Sequence, residues 1–259
     1  MSAVALLLEA RGLRVGAGTR TLIDGLDLQV HAGELWCVMG PNGSGKTTLL
    51  HTLAGLRPLR AGELRLQARA IASWPPAELA RQRGLLPQTL HDAFSASALD
   101  VVLLGRHPHL GRWAWEDAED EHIARAALHA VDLDALVGRD VTTLSGGERQ
   151  RVGIAALLAQ DPPLLLLDEP VAHLDLHHQV TVLRHLRKLA RERGKAVLLS
   201  IHDLNLAARF ATHALVLGPN GMLRQGPAES TMDEVVLSAA FGHAVARERV
   251  GARIVFVAD

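Results

Sequence analysis

The chain has no tyrosine, only four phenylalanines and four tryptophans, and a single cysteine in 259 residues. A lone thiol cannot close an internal disulfide, and Cys37 falls in the apolar run Leu35-Trp36-Cys37-Val38-Met39, so it reads as a core residue of a protein in a reducing compartment. Hydrophobic residues make up 48% of the chain, yet no stretch approaches the roughly 20 consecutive apolar residues that span a bilayer. Ala3 to Leu8 is too short for a secretion signal and lacks the basic flank. The formal net charge of −1 gives no overall bias toward nucleic acid or anionic lipid. Repeats, low-complexity tracts, long linkers and heptad runs are also missing. The expectation is a soluble chain, long enough to bury a substantial core, that works at a membrane only by docking on another protein.

What is present begins with Gly40-Pro41-Asn42-Gly43-Ser44-Gly45-Lys46-Thr47, the pattern G-x-x-x-x-G-K-T. It follows the apolar run Leu35–Met39, which reads as a strand buried on both faces. It precedes Lys46 to Ala54, a predicted helix with Leu49, Leu50 and Leu53 on one face and Gly55 as its C-terminal cap. The glycines let backbone N–H groups curl around phosphate oxygens, and the helix N-terminus adds favourable partial charge. Lys46 is placed on the β- and γ-phosphates and the Thr47 hydroxyl on Mg²⁺. A simple glycine-rich turn between strand and helix would not need Gly, Gly, Lys and Thr together.

About a hundred residues on, Leu144-Ser145-Gly146-Gly147-Glu148-Arg149-Gln150 opens a second helix. Ser145 and Glu148 have the spacing of a capping box, which alone would start that helix. It does not explain Gly146 and Gly147, each costing roughly 1 kcal/mol against alanine. They fit a close approach to the backbone, such as a γ-phosphate at the helix N-terminus. Leu164-Leu165-Leu166-Leu167-Asp168-Glu169 reads as a buried strand delivering two carboxylates at its C-terminal end, where open parallel sheets place ligands. Asp168 fits the metal-side acid of a P-loop enzyme, and Glu169 the base that orients or deprotonates the attacking water. Ala196 to Ile201 repeats the pattern and ends in His202-Asp203, which puts His202 on the γ-phosphate.

Elsewhere, Val4 to Leu13, Thr21 to Val30 and Glu63 to Gln67 read as strands, and Ser95 to Gln160 as largely helical. The acids Glu116 to Glu121 suit the start of one helix and a solvated face. Asp161-Pro162-Pro163 ends the last helix of this region. His177 to Arg193 has Val180, Leu183, Leu186 and Ala190 at helical spacing and stops at Gly194. A short helix and two strands are expected after Pro227. Fourteen histidines invite a metal site. However, His177 and His178 are adjacent and expected to point apart on a helix, and His107 and His109 have no supporting motif, so all are read as structural or surface residues.

The two glycine-rich stretches, in this order and with Asp168-Glu169 and His202 behind them, resemble the ATP-binding subunits of ABC transporters over essentially the whole chain. The resemblance implies an α/β fold: a P-loop NTPase of ABC-ATPase type with an antiparallel β subdomain and an inserted helical subdomain. It implies one domain, 1–259, with the nucleotide-binding core and β subdomain at 1–90 and 161–225, the helical signature subdomain at 91–160 and an appendage at 226–259. It implies ATP and Mg²⁺ as cofactors, with Gly40 to Thr47 and Thr48 around the phosphates and Thr47, Gln88 and Asp168 on the metal. Gln88 resembles the family's glutamine that touches Mg²⁺ and senses the membrane partner. Leu174-Asp175 resembles the loop that crosses to the other subunit, and His202 the switch histidine.

Two copies would pack head to tail, with ATP held between Lys46 of one and Ser145, Gly146, Gly147 and Asp175 of the other. Glu169, His202 and Gln88 would be catalytic. The implied partners are a second copy, integral-membrane permease subunits and indirectly a substrate-binding protein, with no nucleic acid. The implied place is the cytoplasmic face of the cell membrane. Gly105 to Gly111 and Leu174 to Gln179 resemble segments of the importer group for ferric siderophores, haem and cobalamin, with cobalamin placed first. An exporter subunit, a non-transport ABC ATPase and a non-hydrolysing nucleotide-binding module are the rival readings. Two departures stand out: Ala17 lies where relatives stack an aromatic ring on adenine, and Val171 lies where they usually carry threonine. The first predicts weak base discrimination.

Overall fold

The computed structural model describes residues 4–90, 95–111, 114–251 and 253–258. Strands β1 (Leu6–Ala17) and β2 (Arg20–His31) form an antiparallel hairpin closed at Gly18, whose φ of 55° favours glycine. Strand β3 (Leu35–Met39) is buried at all five positions, as its unbroken apolar run requires. Helix α1 (Lys46–Leu53) follows the glycine-rich loop and is stopped beyond Ala54 by Gly55, at φ 72°. Next come β4 (Ala61–Leu66), β5 (Arg69–Ala70), α2 (Pro76–Gln82) and β6 (Arg83–Leu86).

The helical region holds α3 (Ala98–Leu103), α4 (Ala118–His129) and α5 (Gly146–Gln160), which pack on one another. Residues 91–94 and 112–113 of the expected helical subdomain 91–160 lie outside the described residues. Helix α4 starts at Ala118, so Glu116 and Asp117 of the acidic run precede it and Asp117 caps it. Strand β7 (Leu164–Leu167), α6 (Leu176–Arg193, ended by Gly194 at φ 64°), β8 (Ala196–Ser200), α7 (Leu204–Phe210), β9 (His213–Leu217) and β10 (Leu223–Pro227) follow. The C-terminal part has two short helices where one was expected, α8 (Ala228–Thr231) and α9 (Glu234–Phe241). The hairpin β11 (Val245–Val250) and β12 (Arg253–Ala258) completes it.

Apart from the two-stranded β11–β12 sheet, two sheets organise the described elements. One has the order β2-β1-β4-β5 and is antiparallel; the other has the order β10-β9-β3-β8-β7-β6. Within the second, β9, β3, β8, β7 and β6 are all parallel and only β10 runs the other way. The parallel strands separate two cores by simple alternation. Trp36, Val38, Leu164, Leu166 and Leu198 face α1 and the antiparallel sheet, whereas Leu35, Cys37, Leu165, Leu167 and Leu199 face the helical side. Burial pushes the Cys37 thiol up to about 12, consistent with an inert core residue. The parallel arrangement matters for function because β3, β8, β7 and β6 are adjacent and end at one sheet edge. Their C-terminal ends deliver the glycine-rich loop, His202, Asp168-Glu169 and Gln88.

Candidate functional site: a polyphosphate cleft beside an acid cluster

The loop Gly40–Gly45 takes a path that only glycine tolerates at its turning points, with φ of 148° at Gly40, 76° at Gly43 and 104° at Gly45. At Gly40 a Cβ would stand 2.3 Å from the Leu217 carbonyl oxygen and 2.9 Å from Ser44 Oγ, so the position is closed to any side chain. Gly45 is the residue before α1, and no side chain caps that helix, whereas Asp or Ser residues cap α3 to α7 and α9. The first-turn N–H groups of α1 are therefore free to take an anion. Lys46 Nζ is buried and donates to the carbonyls of Gly40 (2.9 Å) and Pro41 (3.1 Å). Burial lowers its pKa, and the negative charges of Glu169 and Asp168 oppose that shift. Ser44 Oγ is buried without a hydrogen-bond partner among the described residues, which suits a loop built around a polar ligand.

A cleft of about 750 Å³ opens over this loop. Asn42, Gly43, Gly45, Lys46, Thr47 and Thr48 line its floor, Gln88, Glu169 and His202 one wall, and Ala17, Arg20 and Leu22 another. The β1–β2 hairpin, far along the chain from the acids, brings Ala17 and Arg20 here. Among the described residues lining the cleft, His202 carries the one aromatic ring, and it sits with the acids rather than at the hairpin wall.

Glu169 occupies a left-handed backbone conformation, φ 49°, unusual for a residue with a side chain. Its N–H donates to Ser200 Oγ at 2.7 Å, and Ser200 Oγ donates to Asp168 Oδ1 at 2.6 Å. The same hydroxyl thus aligns both acids. Glu169 Oε1 lies 2.7 Å from His202 Nε2, and Gln88 Nε2 donates to Oε2 at 3.1 Å. Asp168 is fully buried, and its Oδ2 has no hydrogen-bond partner among the described residues. A free buried carboxylate oxygen next in the chain to Glu169, together with the Thr47 and Gln88 side chains on the cleft lining, is the kind of oxygen donor set a hard cation wants.

The structure thus brings together Gly40 to Thr48, Gln88, Asp168, Glu169 and His202. It leaves Ser145, Gly146, Gly147 and Asp175 off the cleft lining of their own chain. Ser145 forms the full capping box: its Oγ accepts from the Glu148 N–H (3.3 Å) and its N–H donates to Glu148 Oε2 (2.8 Å). Gly146 faces open space, so an approach from outside is possible there. Gly147 has a reason inside the chain that the sequence did not show: a Cβ would meet the His173 carbonyl oxygen at 3.0 Å. Asp175 caps α6 by accepting from the His178 N–H at 2.9 Å. Val171, the other departure from the expected pattern, is buried in the core facing the helices.

Sequence reasoning missed Ser200 and Arg20. Ser200 is the polar residue ending the apolar run Ala196–Leu199, in register beside the strand of the acids, and that was a usable signal. Arg20 carried none, because only the hairpin places it on the cleft. The segment Gly105 to Gly111 proves tightly built into the helical region. A Cβ at Gly105 would lie 2.2 Å from the Ala156 carbonyl oxygen, and Arg106 pairs with Asp120 at 2.8 Å and donates to the Ala159 carbonyl.

The ABC transporter family pattern matches residues 23–172. The chain is 42% identical over 241 residues to the hemin import ATP-binding protein of Streptomyces coelicolor, covering 92% of this chain and 84% of that one. It is 36% identical to the iron(3+)-hydroxamate import ATP-binding protein of Bacillus subtilis, covering 90% and 87%. Among solved structures, a metal-chelate-type ABC transporter in an inward-facing conformation superposes with a TM-score of 0.84 at 28% identity, covering 98% of this chain and 97% of that one. A dimeric ATP-binding cassette with ADP and Pi superposes at 0.75, also at 28% identity, covering 86% and 99%. Fold, cleft and relatives agree: the chain belongs to the ABC transporter family, as an ATP-binding subunit that hydrolyses ATP.

Proposed function

We propose that the chain energises import of a metal chelate through a membrane permease, as one of two identical subunits that share ATP across their interface. The observation that carries this reading is the split of the site. Lys46, Gln88, Glu169 and His202 line one cleft, with Asp168 tied to the Glu169 N–H through Ser200, while the capped turn at Ser145-Gly146 is off that lining and Gly146 faces open space. A head-to-tail second copy would complete the cleft with Ser145, Gly146, Gly147 and Asp175. The dimeric cassette with ADP and Pi supports that assembly.

In this reading Gly40 to Gly45 and Thr48 cradle the phosphates with backbone N–H groups, and Lys46 turns from its carbonyl partners to the β- and γ-phosphates. Thr47, Asp168 and Gln88 would hold Mg²⁺, which would screen the phosphate charge. Glu169 accepts a proton from, or orients, the attacking water. His202 and Gln88, each within hydrogen-bond distance of a different Glu169 oxygen, set the direction of that carboxylate. In this reading His202 is the tautomer with its proton on Nε2, which then donates to the Glu169 carboxylate.

The docking face proposed for the permease is the groove of about 520 Å³ lined by Leu86, Pro87, Leu90, Leu104, Gly105 and Val152, among others. It adjoins Gln88, so movement of a docked segment reaches the Glu169 cluster directly. Among the described residues no helix is long and apolar enough to cross a membrane, so the bilayer contact is assigned to the permease. The division into core, β subdomain, helical subdomain and appendage is part of the proposal. Strand β10 runs Leu223–Pro227, so the large sheet extends past the 225/226 boundary. For the cargo, relatives named for hemin and ferric hydroxamate import favour an iron chelate, with hemin ahead of siderophores and cobalamin behind both.

The test is ATP turnover by the purified chain with its permease, compared with Glu169→Gln and Lys46→Ala. Glu169→Gln should bind ATP and hold the dimer closed, and Lys46→Ala should lose nucleotide binding. Undiminished turnover in either variant would remove that residue from its role.

A further inference from the structure

The pair His177-His178 was expected to point apart. In the structure the two rings stand 5.2 Å apart, edge to face, at the start of α6. The reason is local. His178 is the third residue of the helix, and both its N–H and its Nδ1 lie 2.9 Å from Oδ1 of the capping residue Asp175, which swings the ring toward the helix end. Asp132 comes to the same place from another element. It sits in the turn after α4 at φ 57°, and its carbonyl accepts from Arg151 of α5 at 2.8 Å. His177 Nε2 is 3.9 Å from Asp132 Oδ2.

We propose that Asp132, His177 and His178 form a binding site for a divalent transition-metal ion of zinc type, off the nucleotide-cleft lining of the same chain. One donor atom from each residue lies within 4.8 Å of the other two. Donors bound about 2.0–2.2 Å from one zinc ion lie roughly 3.5 Å from each other, so small rotations of these solvent-accessible side chains close the site. Two imidazoles and one carboxylate with a fourth position open to water is a zinc ligand set, and imidazole disfavours Mg²⁺ and Ca²⁺. The outer sphere is already in place. Asp175 Oδ1 lies 2.9 Å from His178 Nδ1, a contact that favours the Nδ1–H tautomer and so leaves the Nε2 lone pair for the metal, the arrangement carboxylates impose on metal-bound histidines. Bound metal would tie the first turn of α6 to the Asp132 turn, which Arg151 anchors to α5. It would therefore link the capped Ser145 helix to the segment carrying Asp175.

The experiment is calorimetric titration of untagged, metal-stripped full-length chain with ZnCl₂ in excess MgCl₂, with the visible d–d absorption of Co²⁺ as a second readout. One Zn²⁺ per chain is expected, with a Co²⁺ spectrum of four-coordinate intensity. His177→Ala and Asp132→Asn should each weaken binding at least tenfold, the lower end of what loss of an outer-sphere partner alone costs. Circular dichroism on both variants checks folding, and since they lie on different elements, either one suffices if the other unfolds. Zinc binding unchanged in a folded variant, or no Zn²⁺ uptake by the unaltered chain in excess Mg²⁺, overturns the site.

Discussion

Ser200 Oγ sits 2.6 Å from Asp168 Oδ1, donating to it, and accepts the Glu169 N–H at 2.7 Å with its own lone pair. One hydroxyl on β8 therefore fixes the end of β7, where two carboxylates with different tasks follow each other. Burial of both Ser200 and Asp168 makes this contact costly to lose. Because the N–H it receives belongs to a residue at φ 49°, it also helps hold Glu169 in a conformation the backbone resists.

Ser200→Ala should lower kcat by roughly 10- to 100-fold, the range seen when a partner orienting a metal or catalytic group is removed. Nucleotide affinity should change little, because Gly40 to Thr48 is untouched. Phosphate release and nucleotide binding measured side by side check this, and equal losses in both would place Ser200 in binding instead.

Base selectivity should be weak. Among the described residues, the hairpin wall of the cleft offers Ala17, Arg20 and Leu22, with no aromatic ring to stack on adenine. ATP and GTP should differ by less than about tenfold in kcat/KM, far short of what buried hydrogen-bond readout gives. Parallel turnover assays with both nucleotides decide; a strong ATP preference would mean that another group holds the base.

Gly105→Ala should destabilise the helical region. Its new methyl group would fall 2.2 Å from the Ala156 carbonyl oxygen, on the backbone of α5, which cannot rotate away. A cost of about 1–3 kcal/mol is expected, read as a lower midpoint in urea unfolding.

The Arg106–Asp120 pair gives a pH-dependent effect. Both side chains are 11% exposed, and the hydrogen bond from Arg106 holds the Asp120 carboxyl below its ordinary value of 3.8. A depressed folded-state pKa contributes stability that is fully present above the unfolded value and is lost as pH falls through the lower folded one. Asp120→Asn should therefore lower the melting temperature at pH 7. The gap to the unaltered chain should narrow below about pH 4. A gap independent of pH in thermal melts from pH 3 to 7 would assign the effect to packing.

The local chemistry of the site was legible in the chain because it is carried by contiguous residues. An apolar run followed by Gly40 to Thr47 can only be a buried strand, a phosphate loop and a helix start, and four leucines before Asp168-Glu169 can only put acids at a strand end. Gly194 and Asp161 stop their helices as their residue types dictate, the first with φ 64° and the second with φ 53°. Contact between segments distant in the chain was not legible. Ser200 meets Asp168 because β7 and β8 pair in parallel register, Arg20 reaches the cleft because a hairpin folds over it, and Asp132 meets His177 because Arg151 holds its turn. Gly147 yields the same lesson, since its packing partner His173 lies 26 residues away in the turn between β7 and α6. Backbone conformation follows from neighbours along the chain, whereas which side chains share a hydrogen bond depends on strand order and register, and these are set by burying both faces of the large sheet at once.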